Sequence, residues 1–180
     1  MHNHKLKLLI TSAVFAALCC IATILIQIPS PMNGYINLGD CIVLCCAFLL
    51  PLPHAVAAAG IGSAMADVIT GYPYYAPGTL VIKAAMALVA YLIFAAIRHK
   101  SELGAMITAG LAAEAVMVTG YFGYAALLLG KGIAAAASIP GNLFQAVVGI
   151  VAAVLVYKLL PAKLKLFCAH KEENTRPAQA

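Results

Sequence analysis

Long apolar runs with few charged residues follow one another along the chain, from about residue 6 to residue 160. A helix needs about 20 predominantly apolar residues to cross the hydrocarbon core of a bilayer. Of the 180 residues, 64% are hydrophobic and 9% are charged, whereas soluble domains are about 45–50% apolar and about 25% charged. The sequence therefore predicts an all-α polytopic membrane protein and excludes a soluble enzyme and a disordered chain.

Six apolar segments are separated by prolines and glycines or by short charged stretches. The segments cover residues 6–28, 38–52, 55–70, 78–97, 103–129 and 139–160. We therefore predict six transmembrane helices in a single membrane domain, residues 1–165. Residues 166–180 carry glutamate, asparagine and glutamine in place of apolar residues, and we expect a polar, disordered tail there.

Lysine and arginine residues lie mainly on one side of the predicted helices. Nine of the 11 lie on the side of the chain termini, at Lys5, Lys7, Arg98, Lys100, Lys158, Lys163, Lys165, Lys171 and Arg176. Lys131 lies on the other side, and Lys83 lies within the fourth segment. Because cytoplasmic loops carry an excess of lysine and arginine, we predict that both termini are cytoplasmic. Basic residues spread between apolar segments do not form a nucleic-acid-binding face.

Motifs typical of enzymes and of metal sites are missing from the sequence. It has no P-loop and no HExxH motif, and no histidine inside a predicted span can act as a base. The six cysteines are Cys19, Cys20, Cys41, Cys45, Cys46 and Cys168. All but the last fall in apolar segments, where cysteine acts as a small apolar residue. We therefore predict a protein that is not an enzyme and that binds neither a metal ion nor a cofactor.

Four ionisable residues fall within the predicted spans, although each costs at least about 2.5–3.5 kcal/mol at the centre of a bilayer. These residues and their polar neighbours are Asp40, Asp67, Lys83, Glu114, Gln27, Asn37, Asn142 and Gln145. Only Glu114 is expected near the midplane, and the others are expected towards the outer surface. Because the inner half has no comparable residues, we predict a pocket that is open to the outside and closed towards the cytoplasm.

Each of these residues also has a purely structural explanation. Lys83 could neutralise either aspartate, because a paired charge is less costly to bury than a lone one. Asp40 could cap the second helix, and Glu114 could be a protonated core carboxyl. Asn142 and Gln145 could form hydrogen bonds between helices. A binding site explains all of them together, and we favour that interpretation.

Tyrosines are concentrated in the loops that we expect on the outer side. These loops cover residues 29–37, 71–77 and 130–138, and they contain Tyr35, Tyr72, Tyr74 and Tyr75. An aromatic belt explains tyrosines at any bilayer boundary. Four tyrosines are expected on the outer side and only two towards the inner side. We therefore favour the interpretation that the outer tyrosines form a lid that covers a ligand.

Small residues recur at intervals of four on two predicted helices. The first helix has Ala13 and Ala17, and the third has two such stripes, formed by Ala55, Ala59 and Ser63 and by Ala58, Gly62 and Ala66. Small residues at this spacing allow helices to approach closely. Such a stripe serves either packing within the protein or docking of a partner membrane protein.

Several segments resemble the S components of energy-coupling factor (ECF) vitamin transporters. The resemblance extends across nearly the whole chain and rests on GYINLGD (34–40), GIGSAMAD (60–67), GY (71–72), YAP (75–77) and IK (82–83). It is greatest to the group that contains the riboflavin, hydroxymethylpyrimidine and pyridoxine-type S components.

The resemblance implies a six-helix protein of the bacterial plasma membrane that captures a vitamin from outside for ATP-driven uptake. It also implies association with a transmembrane coupling subunit and two ATP-binding cassette ATPases. The family's AxxxA docking motif matches Ala13 and Ala17. The family's pocket coincides with the polar cluster, so the predicted binding residues are Tyr35, Asn37, Asp40, Asp67, Tyr74, Tyr75, Lys83, Glu114, Asn142 and Gln145.

The side chains predicted for this pocket suit a flat heterocycle that carries hydroxyl groups and ring nitrogens. Tyrosine rings would hold such a ring, and amide and charged groups would bind its edge. We favour a small pyridine or pyrimidine, as in pyridoxine or hydroxymethylpyrimidine, and riboflavin is the alternative. A solitary facilitator and a structural membrane subunit without a ligand are the alternatives from other classes.

Overall fold

Six α-helices dominate the computed structural model, which describes residues 2–30 and 34–161. The helices are α1 (His2–Leu25), α2 (Gly39–Leu49), α3 (Leu52–Ile69), α4 (Ala76–Ile97), α5 (Glu102–Gly123) and α6 (Ile139–Leu159). Five of them are long and apolar enough to cross a membrane, and α2 is shorter. The predicted all-α polytopic fold is confirmed, whereas the polar tail predicted at residues 166–180 lies outside the described residues.

The short helix α2 lies in the middle of the bundle. Ten of its 11 residues are buried, and it packs against α1, α3, α4 and α6. At 1.5 Å per residue it is about 16 Å long, roughly half the thickness of a bilayer core. It ends before the predicted boundary at residue 52, because a residue that precedes proline disfavours the helical conformation. Leu50, which precedes Pro51, is accordingly extended.

A β-hairpin connects α1 to α2. Strand β1 (Gln27–Ser30) pairs in antiparallel orientation with β2 (Gly34–Asn37), and Gln27 lies opposite Asn37. The first helix was predicted to continue to residue 28, but it ends at Leu25. The proline at position 29 explains the difference, because it disfavours a helical conformation at the residue before it.

The hairpin lies at one end of the bundle, which we call the hairpin end. The α3–α4 and α5–α6 connections lie at the same end, since successive helices alternate in direction. Between α5 and α6 the chain forms a π-helical turn, Tyr124–Leu128, and a 3-10 helix, Gly132–Ser138. The opposite end, where α1 begins and α6 ends, is called the terminal end.

Helices α1 and α3 pack closely through small residues. Both small-residue stripes of α3 are buried. A Cβ atom added at Gly62 would overlap the backbone oxygen of Ala16, so a larger residue there would push the two helices apart. The stripes of α3 therefore serve packing within the protein. On α1, by contrast, Ala13 and Ala17 are exposed.

Aromatic side chains fill the terminal end of the bundle. The rings of Phe48 and Phe94 are 4.8 Å apart, and that of Tyr157 lies 6.0 Å from Phe48. The Tyr157 hydroxyl donates a hydrogen bond to Glu102 Oε1 at 2.9 Å. These contacts close the terminal end with packed side chains.

Candidate ligand-binding cavity at the hairpin end

A cavity lies between the hairpin and the helices at the hairpin end. The space between these elements, including the open solvent at its mouth, is about 610 Å³. Thirteen residues line it: Thr23, Tyr35, Asn37, Ser63, Asp67, Tyr75, Thr79, Lys83, Tyr121, Ala125, Ser138, Asn142 and Gln145. Seven of the ten predicted binding residues are among them, so the structure brings most of the predicted cluster together.

An ion pair lies at the inner limit of the cavity. Lys83 on α4 contacts Asp40 Oδ1 in the first turn of α2, and the two residues are 2% and 0% exposed. The ring centroid of Tyr121 lies 5.4 Å from Lys83 Nζ, within the range of a cation–π contact. Of the two aspartates considered as partners of Lys83, the one in direct contact is Asp40.

A chain of hydrogen bonds connects this ion pair to the hairpin. Gln145 on α6 donates to Asp40 Oδ2 at 2.5 Å. Its side-chain oxygen accepts from the backbone N–H of Asn37, at 2.7 Å. The side-chain oxygen of Asn37 in turn accepts from the N–H of Gly39, at 2.8 Å, at the start of α2. The hydrogen bonds between helices that were considered for Gln145 are therefore present.

A second contact between the hairpin and the helices joins Tyr35 to Asp67. The Tyr35 hydroxyl donates a hydrogen bond to Asp67 Oδ1. The pKa of Tyr35, which lies outside the membrane-spanning segments, is raised above its usual range by burial and by the carboxylate of Asp67. Tyr35 therefore stays protonated at neutral pH and can act as a donor.

Two polar atoms near this contact are left without a partner. Asp67 Oδ2 and Ser63 Oγ are buried and have no hydrogen-bond partner among the described residues. Ser63 and Asp67 are four residues apart on α3, so they lie on the same face of the helix. This face supplies the hydrogen-bonding groups of the cavity that the protein itself leaves unused.

Tyrosine side chains lie in and around the cavity. The rings of Tyr75 and Tyr121 are 6.4 Å apart, and Lys131 donates to the Tyr75 hydroxyl at 2.9 Å. Tyr74 was predicted in the site, but its side chain is 43% exposed and does not line the cavity. Its backbone oxygen accepts a hydrogen bond from Tyr124 at 2.8 Å. The position of Tyr75 is compatible with the predicted lid, whereas Tyr74 lies outside the cavity lining and contacts Tyr124.

Glu114 and Asp40 lie beneath the cavity and are not part of its lining. A Cβ atom added at Gly149, in the middle of α6, would be 3.0 Å from the Cβ of Asp40 and 3.1 Å from Glu114 Oε1. Both carboxyl groups are therefore close to the middle of the bundle. Neither carboxyl oxygen of Glu114 has a hydrogen-bond partner among the described residues.

Six lining residues were not predicted: Thr23, Ser63, Thr79, Tyr121, Ala125 and Ser138. The sequence contains a signal for three of these residues, because their spacing places each on the same helical face as a predicted binding residue. Ser63 precedes Asp67 by four residues and Thr79 precedes Lys83 by four. Tyr121 follows Glu114 by seven, which is two helical turns.

A metal site is not apparent in residues 2–30 and 34–161. No group of three or more histidine, cysteine, aspartate or glutamate side chains in these ranges could hold a metal ion. Cys19 and Cys46 lie with their sulfur atoms 3.8 Å apart in the core, as expected of small apolar residues. Cys168 lies outside the described residues.

Comparisons with known proteins find similarity in both structure and sequence. A solved structure described as "Structure and mechanism of the S component of a bacterial ECF transporter" superposes with a TM-score of 0.64 at 21% identity, covering 86% of this chain and 95% of the other. A protein of Pyrococcus woesei, described as uncharacterized, is 36% identical over 132 residues, 73% of this chain and 86% of that protein.

A protein-family model also matches the chain. It is described as "ECF-type riboflavin transporter, S component" and covers residues 3–162. This range includes every residue that lines the cavity and all six helices except His2, the first residue of α1. The chain belongs to the family of S components of ECF-type riboflavin transporters.

Proposed function

We propose that the protein captures a small heterocyclic vitamin or vitamin precursor from outside the cell and presents it for ATP-driven uptake. S components are substrate-binding subunits and not enzymes, in agreement with the missing catalytic motifs. The observation that carries the proposal is the cavity, which has a polar lining at the hairpin end, while aromatic side chains fill the terminal end.

The lining supports a pyridine or pyrimidine ligand such as pyridoxine or hydroxymethylpyrimidine. Of the thirteen lining side chains, only that of Ala125 is purely apolar. Three tyrosines, Tyr35, Tyr75 and Tyr121, offer ring faces for a flat ligand. Amide and hydroxyl groups offer hydrogen bonds to its substituents. Such a lining suits a small ring that carries polar groups on most of its edge.

Riboflavin is the second candidate ligand, and the family model favours it by name. Its ring system has a methylated benzene edge, which would need apolar contacts for favourable burial. Ala125 and the rings of Tyr35, Tyr75 and Tyr121 are the groups of the described lining that could contact that edge. We place riboflavin after the smaller heterocycles because the other lining side chains carry hydroxyl, amide or charged groups.

The proposed partners are a transmembrane coupling subunit and two ATP-binding cassette ATPases in the bacterial plasma membrane. In this arrangement both termini are cytoplasmic, and the hairpin end faces outwards. The exposure of Ala13 and Ala17 on α1 supports docking there, because small residues at this spacing let a partner helix approach closely.

The geometry gives less support to the two other classes of function, a solitary facilitator and a structural membrane subunit without a ligand. A solitary facilitator needs a polar path through the terminal end, which is filled by Phe48, Phe94 and Tyr157. A structural subunit needs no cavity. On that interpretation, the polar atoms of Ser63 and Asp67 that have no partner among the described residues would have no function.

Mass spectrometry tests the proposal directly. The full chain is purified in detergent and heated, and the released small molecules are compared with those from an unrelated membrane protein prepared in parallel. A heterocycle released in about one copy per chain supports the proposal and identifies the ligand. If nothing is released, a thermal-shift panel of vitamins and precursors follows, and the proposal fails if none of them stabilises the protein.

A further inference from the structure

The two sides of the cavity differ in how fully their polar groups are used. On one side, Lys83, Asp40, Gln145 and Asn37 hydrogen-bond to one another and to the backbone. We call this the paired side. Its amide and charged groups already have partners inside the protein, so a ligand there would compete with bonds that already exist.

The polar groups of Ser63 and Asp67 are less fully hydrogen-bonded, and we call these two residues the acceptor side. Both residues line the cavity, and they are 1% and 4% exposed. Ser63 Oγ and Asp67 Oδ2 are buried without a hydrogen-bond partner among the described residues. A ligand group placed between these two atoms can therefore hydrogen-bond to them without breaking a bond within the described part of the protein.

The charges near the cavity specify what kind of partner is missing. The positive charge of Lys83 is matched by Asp40 in direct contact. Asp67 accepts a hydrogen bond from Tyr35, a neutral phenol, and also interacts with the neutral hydroxyl group of Thr79. The carboxylate of Asp67 can accept further hydrogen bonds at Oδ2, and it repels a second anion at short range.

We propose that the ligand presents a hydrogen-bond donor to Asp67 Oδ2 and a donor or an acceptor to Ser63 Oγ, since a serine hydroxyl can both accept and donate. The donor is a ring or exocyclic N–H, a protonated ring nitrogen or a hydroxyl group. The site therefore selects neutral or cationic heterocycles and rejects those that bring a carboxylate or phosphate to the acceptor side. This inference rests on the proposed function and specifies the chemical class of the ligand.

Matched pairs of probes test the inference by isothermal titration calorimetry on the full chain in detergent. The pairs are pyridoxine and pyridoxine 5′-phosphate, riboflavin and flavin mononucleotide, and nicotinamide and nicotinic acid. We expect the uncharged member of at least one pair to bind and its anionic partner to bind at least about 100-fold more weakly. Binding of an anionic member as tightly as its partner overturns the inference and leaves the proposed function standing. If no member of any pair binds, the inference fails, and the proposed function is decided by the mass-spectrometry and thermal-shift tests described above.

Two variants show whether the acceptor side causes the discrimination. With the probe that binds, Asp67→Asn should weaken binding about 10- to 100-fold and reduce the preference over the anionic member. Ser63→Ala should weaken binding about 3- to 10-fold. The matched control is Ser12→Ala on α1, a buried serine whose hydroxyl donates to the backbone oxygen of Leu8 at 2.8 Å, away from the cavity. It should bind as the wild type does.

Folding of the variants is checked separately, by size-exclusion chromatography and by the melting temperature without ligand. If Asp67→Asn is well folded and keeps both the affinity and the preference of the wild type, the acceptor side does not select the ligand and the inference is wrong. If Asp67→Asn does not fold, Ser63→Ala decides in the same way, because it leaves the Tyr35–Asp67 contact in place.

Discussion

Lys83 of α4 and Asp40 of α2 form an ion pair in the interior of the bundle, where the two residues are 2% and 0% exposed. The pair lies between the cavity and the middle of the membrane domain, and Gln145 holds the second oxygen of the aspartate. It fixes the start of the short central helix relative to α4 and α6. The structure therefore gives this pair a role in holding the cavity in shape.

Removing one partner of this pair should be costly. Lys83→Met leaves Asp40 buried without its counter-charge, and we expect a loss of about 3–5 kcal/mol in the free energy of unfolding. The measurement is unfolding in mixed micelles titrated with a denaturing detergent. The double variant Asp40→Asn/Lys83→Met should recover much of the loss, because it removes both charges and keeps an acceptor for Gln145. Equal stability of Lys83→Met and the wild type would contradict the role of the pair.

The contact between α1 and α3 predicts a second effect. Gly62→Ala places a Cβ atom against the backbone oxygen of Ala16 and should destabilise the protein by about 1–3 kcal/mol. Gly123→Ala is the matched control, since an added Cβ meets no atom within 4 Å there. The control should be neutral or slightly stabilising. Both are compared with the wild type by melting temperature, and equal values for the two variants would argue against close packing.

Docking through α1 can be separated from ligand binding. The double variant Ala13→Leu/Ala17→Leu fills the small-residue face of α1 and should abolish copurification with the coupling subunit. The ligand affinity should stay within about 2-fold of the wild type, because both positions are exposed and do not line the cavity. The control pair is Ala57→Leu/Ala96→Leu, at exposed positions of α3 and α4. Retained copurification of the first double variant would rule out this docking face.

The contact between Tyr35 and Asp67 predicts a pH-dependent difference. Tyr35→Phe removes the donor to Asp67 Oδ1 and should cost about 1–2 kcal/mol of stability near neutral pH. In the unfolded chain a tyrosine loses its proton near its ordinary pKa of 10.0, whereas burial and the Asp67 carboxylate raise the pKa of folded Tyr35. The contribution of Tyr35 is therefore complete below about pH 10 and declines as the pH rises further.

Melting curves of the wild type and Tyr35→Phe between about pH 8 and pH 11 measure this effect. The stability advantage of the wild type should be constant at the lower end and should shrink above about pH 10. Since the other tyrosines are common to both proteins, the difference isolates Tyr35. An advantage that grows with pH would have the wrong sign and would exclude the proposed donor role.

The helices and most of the cavity lining could be predicted because both depend on local features of the sequence. Apolar runs of spanning length mark the helices, and Asp67 and Lys83 stand out in them as ionisable residues. The hairpin could not be predicted in this way. Its strands pair Gln27 with Asn37, and the first of them continues the apolar run of α1, so helical periodicity gives no sign of it.

The depth of the polar residues was also difficult to infer. A count of residues from the ends of the apolar segments places Asp40 near the outer surface. In the structure Asp40 lies beside Gly149 and Glu114, in the middle of the bundle. The reason is that the hairpin and the first turn of α2 occupy space inside the bundle, which a count along one segment does not register.

The half-length of α2 has a consequence for how the chain enters the membrane during synthesis. An 11-residue helix cannot cross the hydrocarbon layer as an independent unit. Its first turn also brings a carboxylate, which is expensive in lipid until Lys83 reaches it from α4. Insertion of α2 must therefore be coupled to that of α3 and α4, and its final position is reached only after at least four helices have left the ribosome.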